Sequence, residues 1–393
     1  MLGVRGVPTV YGGFETCAEQ LGARLVERGH QVTVYCRPHF VDPTRKEYRG
    51  MRLVALPTVE NKYLDTLAHT FVSSVHALFQ PYDLCLYFIA GNSFVCWIPR
   101  LAAQRTVINV DGLDWKREKW PGPAKAYLRL AERLAPRLAD SALTDSRVVQ
   151  KYYAQAYHSR VYHIAYGSEL DRVPPGETLA RWGLEPRKYI LFVGRLVPEN
   201  RAEHLVDAFR ALADRGNLDG MKCVVMGDAS YQDNYVAGLK AKASEDIIFT
   251  GYVYGEGYRE LCANAFCFVE TSAASGTHPA LLEAMGYGNC VIVNDTSENL
   301  ETIGEAGLHY KGSEGAGSLR PLLEQLLRDP DMVAHRREMA AARAQKYYSW
   351  DAITRQYLAL FEKLLSGRRS RLQRTLLRIR NRKRSRATSS GND

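Results

Sequence analysis

A chain of 393 residues exceeds one ordinary domain and suits two, and a composition of 46% apolar and 24% charged residues supplies two cores and argues against disorder. The formal charge of +9 is local: ten of the 52 Lys and Arg lie in the acid-free stretch RRSRLQRTLLRIRNRKRSR, residues 368–386, and the rest of the chain is balanced. A balanced body offers no footprint for specific nucleic-acid binding, and no apolar run approaches the roughly 20 residues of a membrane span.

The chain opens on MLGV, a short first strand where about five apolar residues are usual, so a start upstream of Met1 stays open; it shows no basic-then-apolar leader pattern. GVRGVPTVYGGFET then forms a Gly-rich turn into a helix. From there, short runs rich in Val, Ile, Tyr and Phe alternate with helical periods, the pattern of parallel βαβ units. QVTVYCR, MRLVALP, LCLYFI, TVINV and RVYHIAY read as strands, with helices over FETCAEQLGARLVERG, YLDTLAHTFVSSVHALF and PAKAYLRLAERLAPRLA. Periodicity lapses at GSELDRVPPGE, where Pro, Gly and charge cluster. It restarts with the strands YILFVGR, KCVVMGD, IIFTGYV, CFVETS and NCVIVND and the helices AEHLVDAFRALADRG, YRELCANA and PALLEAMGYG.

These elements predict an α/β protein of two doubly wound domains, 1–168 and 169–348, facing each other across a cleft. A separate amphipathic helix, capped by Ser349, occupies 349–366. The basic tail is 367–393. Eight cysteines without a CxxC pair, mostly inside apolar runs, read as buried reduced thiols of a cytosolic protein. The ten His residues show no metal-ligand spacing, and neither GxSxG nor a P-loop occurs.

Candidate chemistry gathers at strand ends, where open α/β sheets place ligands. Gly194-Arg195 ends YILFVGR, and Arg195 can make charge-assisted bonds to a diphosphate. Ser275-Gly276-Thr277-His278 leads into a helix opened by Pro279, whose free amides suit an anion; Glu283, one turn in, can accept from a ribose diol. Gly12 and Gly13 let backbone pass close to a ligand, though this is not GxGxxG. Asp111 follows TVINV and can orient a hydroxyl or handle a proton, with Asp114 as a second candidate. Asp145-Ser146 reads as a helix cap.

Together GVRGVPTVYGGFET, NVDGLDWKREKW, GRLVPENR and GTHPALLEAM resemble the GT-B glycosyltransferases of family 4, in particular a rhamnosyltransferase-like branch whose first domain is of the DUF1972 type. The resemblance covers roughly residues 2–365. It implies two facing Rossmann-like domains, an acceptor in the first, a nucleotide-sugar in the second, and a final helix that crosses back onto the first. Transfer would retain anomeric configuration without metal or other cofactor. Carried over by residue, Asp111 and Arg195 would be catalytic. Donor contacts would come from Gly12, Gly13, Gly194, Arg195, Asn200, from Gly251, Tyr252 and Val253 at the base edge, and from Gly276, Thr277, His278, Pro279, Ala280, Leu281 and Glu283. Asp114, Trp115 and Lys116 would meet the acceptor.

Three positions depart from the common family pattern: Ser275 replaces a Glu, Asn200 stands near a usual Lys, and Asp111 replaces a His. The named branch shares the last two. The lost carboxylate removes a handle on the donor sugar, which leaves rhamnose or another hexose on UDP, GDP or dTDP open. The expected acceptor is a glycan or lipid-linked glycan of surface polysaccharide biosynthesis. The expected location is cytoplasmic, peripheral to the inner membrane face, with the tail on anionic lipid. The competing readings are a sugar-nucleotide epimerase and a degenerate scaffold docked on membranes.

Overall fold

The computed structural model describes residues 1–366 apart from 10–11, 62–63, 117–119, 217, 230–232 and 275. The tail on which the docking expectation rests lies outside the described residues.

In the first domain the apolar runs become β1 (Thr33–Cys36), β2 (Glu47–Tyr48), β3 (Met51–Ala55), β4 (Leu84–Phe88), β5 (Arg105–Asn109), β6 (Ser141–Thr144) and β7 (Tyr162–His163). Two pieces of sheet, β1-β3-β2 and β4-β5-β6-β7, are joined by the MLGV segment. The Tyr35 amide donates to Met1 O on one side, and on the other the Leu2 amide donates to Leu86 O and the Phe88 amide to Leu2 O. The short first strand therefore sits at the centre of the sheet. Helices α1 (Gly13–Glu27), α2 (Asp65–Leu78), α3 (Gly122–Leu138) and α4 (Arg147–Tyr157) cover it.

The second domain holds β8 (Tyr189–Val193), β9 (Lys222–Met226), β10 (Ile247–Gly251), β11 (Cys267–Glu270), β12 (Cys290–Asn294) and β13 (Leu308–Tyr310). All pair in parallel, in the order β10-β9-β8-β11-β12-β13. This is a doubly wound order whose direction reverses between β8 and β11. Helices α5 (Glu177–Arg181), α6 (Glu203–Ala213), α7 (Asp233–Lys240), α8 (Gly255–Ala263), α9 (Pro279–Gly286), α10 (Ser297–Ile303), α11 (Ala316–Arg328) and α12 (Pro330–Tyr347) pack on its two faces. Strands buried on both sides lose alternation and read as continuous apolar runs, which is why CVIVN and CFVE are wholly buried.

A last helix, α13, runs over 350–366. Its Trp350, Ile353, Tyr357 and Leu360 join the core of the first domain with Leu21, Val34 and Phe88. The Ser349 hydroxyl accepts the Ala352 amide at 3.4 Å, and the Ser168 amide donates to Tyr348 O at 2.6 Å where the chain crosses. A Cβ on Gly167 would lie 2.3 Å from the Trp350 ring, so only glycine lets the two strands of the crossing meet there.

Three sequence expectations need correction. RVYHIAY contributes only Tyr162–His163 as strand. SALT, read as no element, is β6 and fully buried; its hydroxyls disguise a core strand. Helices α4, α5, α7, α10 and α11 and strands β2 and β13 were not read at all. The eight cysteines are free and buried, and burial pushes thiols such as Cys17 up to about 12. Among the described residues no helix is long and apolar enough to cross a membrane.

Candidate functional site

The reversal between β8 and β11 opens a crevice at their carboxyl ends. Beyond β8, Gly194 is pressed against the end of β9: its amide donates to Met226 O, and a Cβ on Gly227 would fall 1.9 Å from Gly194 O. Arg195 follows, half-buried, and among the described residues no carboxylate pairs with it. Asn200 braces this turn. Its Nδ2 donates to Arg195 O at 2.9 Å, and its Oδ1 accepts from the Ser272 hydroxyl at 3.0 Å. The Thr271 hydroxyl also donates to Asn200 O. Both ends of the Asn200 amide thus tie the loop after β8 to the loop after β11, a service a lysine could not give.

Helix α9 starts at Pro279 with His278 as an extended N-cap that makes no side-chain cap bond. The amides of Leu281 and Leu282 turn back to His278 O. Among the described residues the Ala280 amide and the buried His278 Nε2 have no hydrogen-bond partner, so the positive end of the helix is left available to an anion. Glu283 lies one turn in and accepts from the Tyr258 hydroxyl.

Three loops of the first domain converge on this start. Gly13 lies against Pro279, with a Cβ position 2.9 Å from the ring. Gly276, at φ 107°, approaches Gly112, 3.6 Å from its own Cβ position. Asp145 crosses over, its Oδ2 accepting the Thr277 amide at 2.9 Å while its backbone oxygen accepts the Thr277 hydroxyl at 3.2 Å. Next to Gly112, Asp111 has φ 57°. Its carboxyl accepts from the Tyr166 hydroxyl at 3.2 Å, and its amide donates to Asn109 Oδ1 at 3.0 Å. Gly12, at φ 122°, lies under the Glu15 carboxylate.

The structure therefore gathers Gly12, Gly13, Asp111, the 276–281 segment and Glu283 at one seam, with Gly194, Arg195 and Asn200 braced beside it. Other expected residues lie apart. Gly251, Tyr252 and Val253 sit at the end of β10, two strands from β8; the Tyr252 hydroxyl donates to Asp228 O at 2.7 Å and its ring stacks on Tyr254. Asp114, Trp115 and Lys116 form a short 3-10 turn, where the Arg129 guanidinium lies 4.2 Å from the Trp115 ring.

Asp145 corrects the helix-cap reading. Ser146 does cap α4, accepting the Val148 amide at 3.1 Å, but Asp145 bonds across the cleft. Burial raises its carboxyl, and the two Thr277 bonds oppose that rise. The signal was its place directly after a strand, like Asp111, hidden because β6 went unread. Glu301 was missed too. From α10 of the second domain it accepts the amides of Arg147 and Val148 at 3.0 and 3.2 Å, completing the cap of a first-domain helix.

Desolvation raises the Glu283 carboxyl to about 7, with the Tyr258 bond pulling the other way. Its folded pKa exceeds the ordinary value of 4.5, so folding favours the protonated form. The stability Glu283 contributes falls as pH rises from the ordinary carboxylate range to about 7 and is flat above. If only the ionised carboxylate accepts from a ribose, affinity for an intact nucleotide-sugar should rise roughly tenfold between pH 6 and pH 8. Calorimetry on the wild type and Glu283→Gln checks this; the same slope in both would remove Glu283 from the ribose.

Residues 187–329 match the family model described as glycosyl transferases group 1, and residues 86–169 match a domain of unknown function, DUF1972. A GDP-mannose-dependent alpha-mannosyltransferase of Mycobacterium tuberculosis is 29% identical over 244 residues, 60% of this chain and 59% of that protein. The O-antigen chain mannosyltransferase B of Escherichia coli is 26% identical over 191 residues, 47% of this chain and 49% of its own. The match thus spans only about half of the length of these relatives. Among solved structures, sucrose-phosphate synthase from Thermosynechococcus elongatus superposes with a TM-score of 0.75 at 20% identity, covering 91% of this chain and 94% of that one. Anabaena HepE in complex with UDP and glucose gives 0.73 at 19%, covering 89% and 96%. A glycosyl transferases group 1 domain is thus present in the second half and a DUF1972 domain in the first, and the two doubly wound sheets that face each other across a seam give the chain the GT-B fold, consistent with the family 4 that its motifs resembled.

Proposed function

We propose that the chain is a retaining glycosyltransferase that moves a hexose from a nucleotide-sugar to a glycan or lipid-linked glycan acceptor. The observation that carries this reading is Arg195, which pairs with no carboxylate among the described residues, together with the start of α9, whose Ala280 amide has no partner among them, and three loops of the other domain closing over that start. A diphosphate fits a cation and a helix amino terminus, and those charges take the place a metal would otherwise fill. The relatives named for GDP-mannose and the neighbour holding UDP support a nucleotide-sugar donor and set mannose beside rhamnose as the hexose.

In the reaction the bond from the sugar C1 to the diphosphate breaks, a bond from C1 to the acceptor oxygen forms, and the acceptor proton passes to the departing diphosphate. Arg195 and the Ala280 amide stabilise the charge that develops on the leaving group. Closure of the first domain holds the reactants in line. Asp111, fixed by Tyr166, orients the acceptor hydroxyl. A cytoplasmic position on the inner membrane face belongs to the same proposal, because a lipid-linked acceptor is confined there.

A panel of UDP-, GDP- and dTDP-sugars tests it through release of nucleotide and of free sugar, with and without membrane extract as acceptor source. Transfer requires both nucleotide release and a glycosylated product. Absence of release from every donor would leave a scaffold, and an epimerised donor without free sugar would mean an epimerase. Asp111→Asn should slow transfer by roughly a hundredfold or more while donor affinity stays level; wild-type turnover would reduce Asp111 to a turn residue.

A further inference from the structure

Helix α2 is turned inside out. It buries His69, Thr70, Ser73, Ser74 and the small Ala77, and the largest side chains along it face solvent: Phe71 is 52% exposed and Phe79 77%, with Leu64 and Val75 on the same line. Spacings of seven, four and four residues put these four on one stripe of the helix. Its buried face is instead held by polar bonds, His69 Nε2 to Cys36 O at 3.0 Å and the Ser74 hydroxyl to that of Tyr87 at 2.9 Å. A core-facing helix would carry the opposite pattern.

The stripe continues sideways. Helix α2 packs against the 3-10 segments Ala90–Val95 and Pro99–Ala102, which lead to exposed Trp97 and to Leu101, 69% exposed. Helix α3 lies on the other side of them: the Tyr127 hydroxyl donates to Gly91 O at 2.7 Å, and Arg100 donates to Leu138 O at 2.9 Å. Along α3, Lys125, Arg129, Arg133 and Arg137 recur every fourth residue. The one acid of that helix, Glu132, is buried, and among the described residues no carboxylate pairs with any of the four cations.

We propose that this face of the first domain, α2 with the 3-10 segments and α3, docks on an anionic lipid bilayer. Aromatic and aliphatic side chains enter the boundary of the acyl layer and the α3 cations meet the phosphate headgroups, the division of labour of interfacial helices. Charge decides against the other occupants. A second copy would set the four cations of α3 beside an identical four, and the basic 368–386 stretch would add its ten to them. Helix α3 begins just beyond the Asp114–Lys116 turn, so the residues expected to meet the acceptor would lie near the lipid surface. The inference stands on surface chemistry and survives a failure of the donor assignment.

The native cysteines are all buried, so Val75→Cys in the full chain presents one reactive thiol for an environment-sensitive dye, and Glu256→Cys on the second domain serves as control. Vesicles of mixed phosphatidylglycerol and phosphatidylcholine should shift the emission at position 75 to the blue and leave position 256 unmoved, while pure phosphatidylcholine has a weaker effect. Phe71→Ser with Phe79→Ser should lower vesicle affinity by at least roughly tenfold, and Arg133→Glu with Arg137→Glu should lower it and flatten its salt dependence. These positions are exposed, so melting temperatures should hold. Co-sedimentation without a shift at position 75, a lipid-free shift that grows with protein concentration, or unchanged binding in both double variants would each overturn the proposal.

Discussion

Arg195→Ala should weaken binding of a nucleoside diphosphate by about 1.5–3 kcal/mol, the range for hydrogen bonds to a charged group. Nothing among the described residues neutralises this guanidinium, so its loss strands no partner and the melting temperature should scarcely move. Arg195→Lys separates charge from geometry: a lysine restores the cation but not the fork that can bridge two phosphate oxygens. Intermediate affinity in that variant is expected. Titration calorimetry of nucleoside diphosphate into the three proteins decides the point, and equal affinities would take Arg195 out of the site.

Trp350→Ala should destabilise the first domain by about 3–5 kcal/mol, the cost of emptying a large aromatic site in a core. Trp350 is 3% exposed, lies against Gly167, and shares its cluster with Leu21, Val34 and Phe88 from the far end of the chain. The loss is a large fraction of a domain's whole stability. Hydrogen exchange reads it by location: amides of β1 and β4 should lose protection while those of β8 to β12 keep theirs. Equal loss in both sheets would mean that the seam, and not the α13 contact, carries the coupling.

The second sheet was legible almost strand by strand, because β8, β9, β11 and β12 are buried on both faces and leave unbroken apolar runs. In the first domain the same logic failed at β6, where Ser141 and Thr144 occupy a fully buried strand. That failure hid Asp145, since an acid matters as a site residue only once a strand is known to end before it. Periodicity located α2 but carried no information on direction: the stripe that marks the helix faces outward, and polar bonds hold the inward side. Glycines at turns pointed to the seam between the domains, yet Gly112 and Glu301 depend on which loops meet across it, and that is a property of the two domains together.

The crossing of α13 also sets an order of events during synthesis. The second domain's two core clusters are drawn from Leu179 to Ala344, one uninterrupted stretch. The first domain's core combines residues from the opening segment with Trp350, Ile353, Tyr357 and Leu360. As the chain leaves the ribosome, its leading half must wait with an apolar groove open along α1 while the whole second domain is made and folds. The first half to emerge is the last to be sealed.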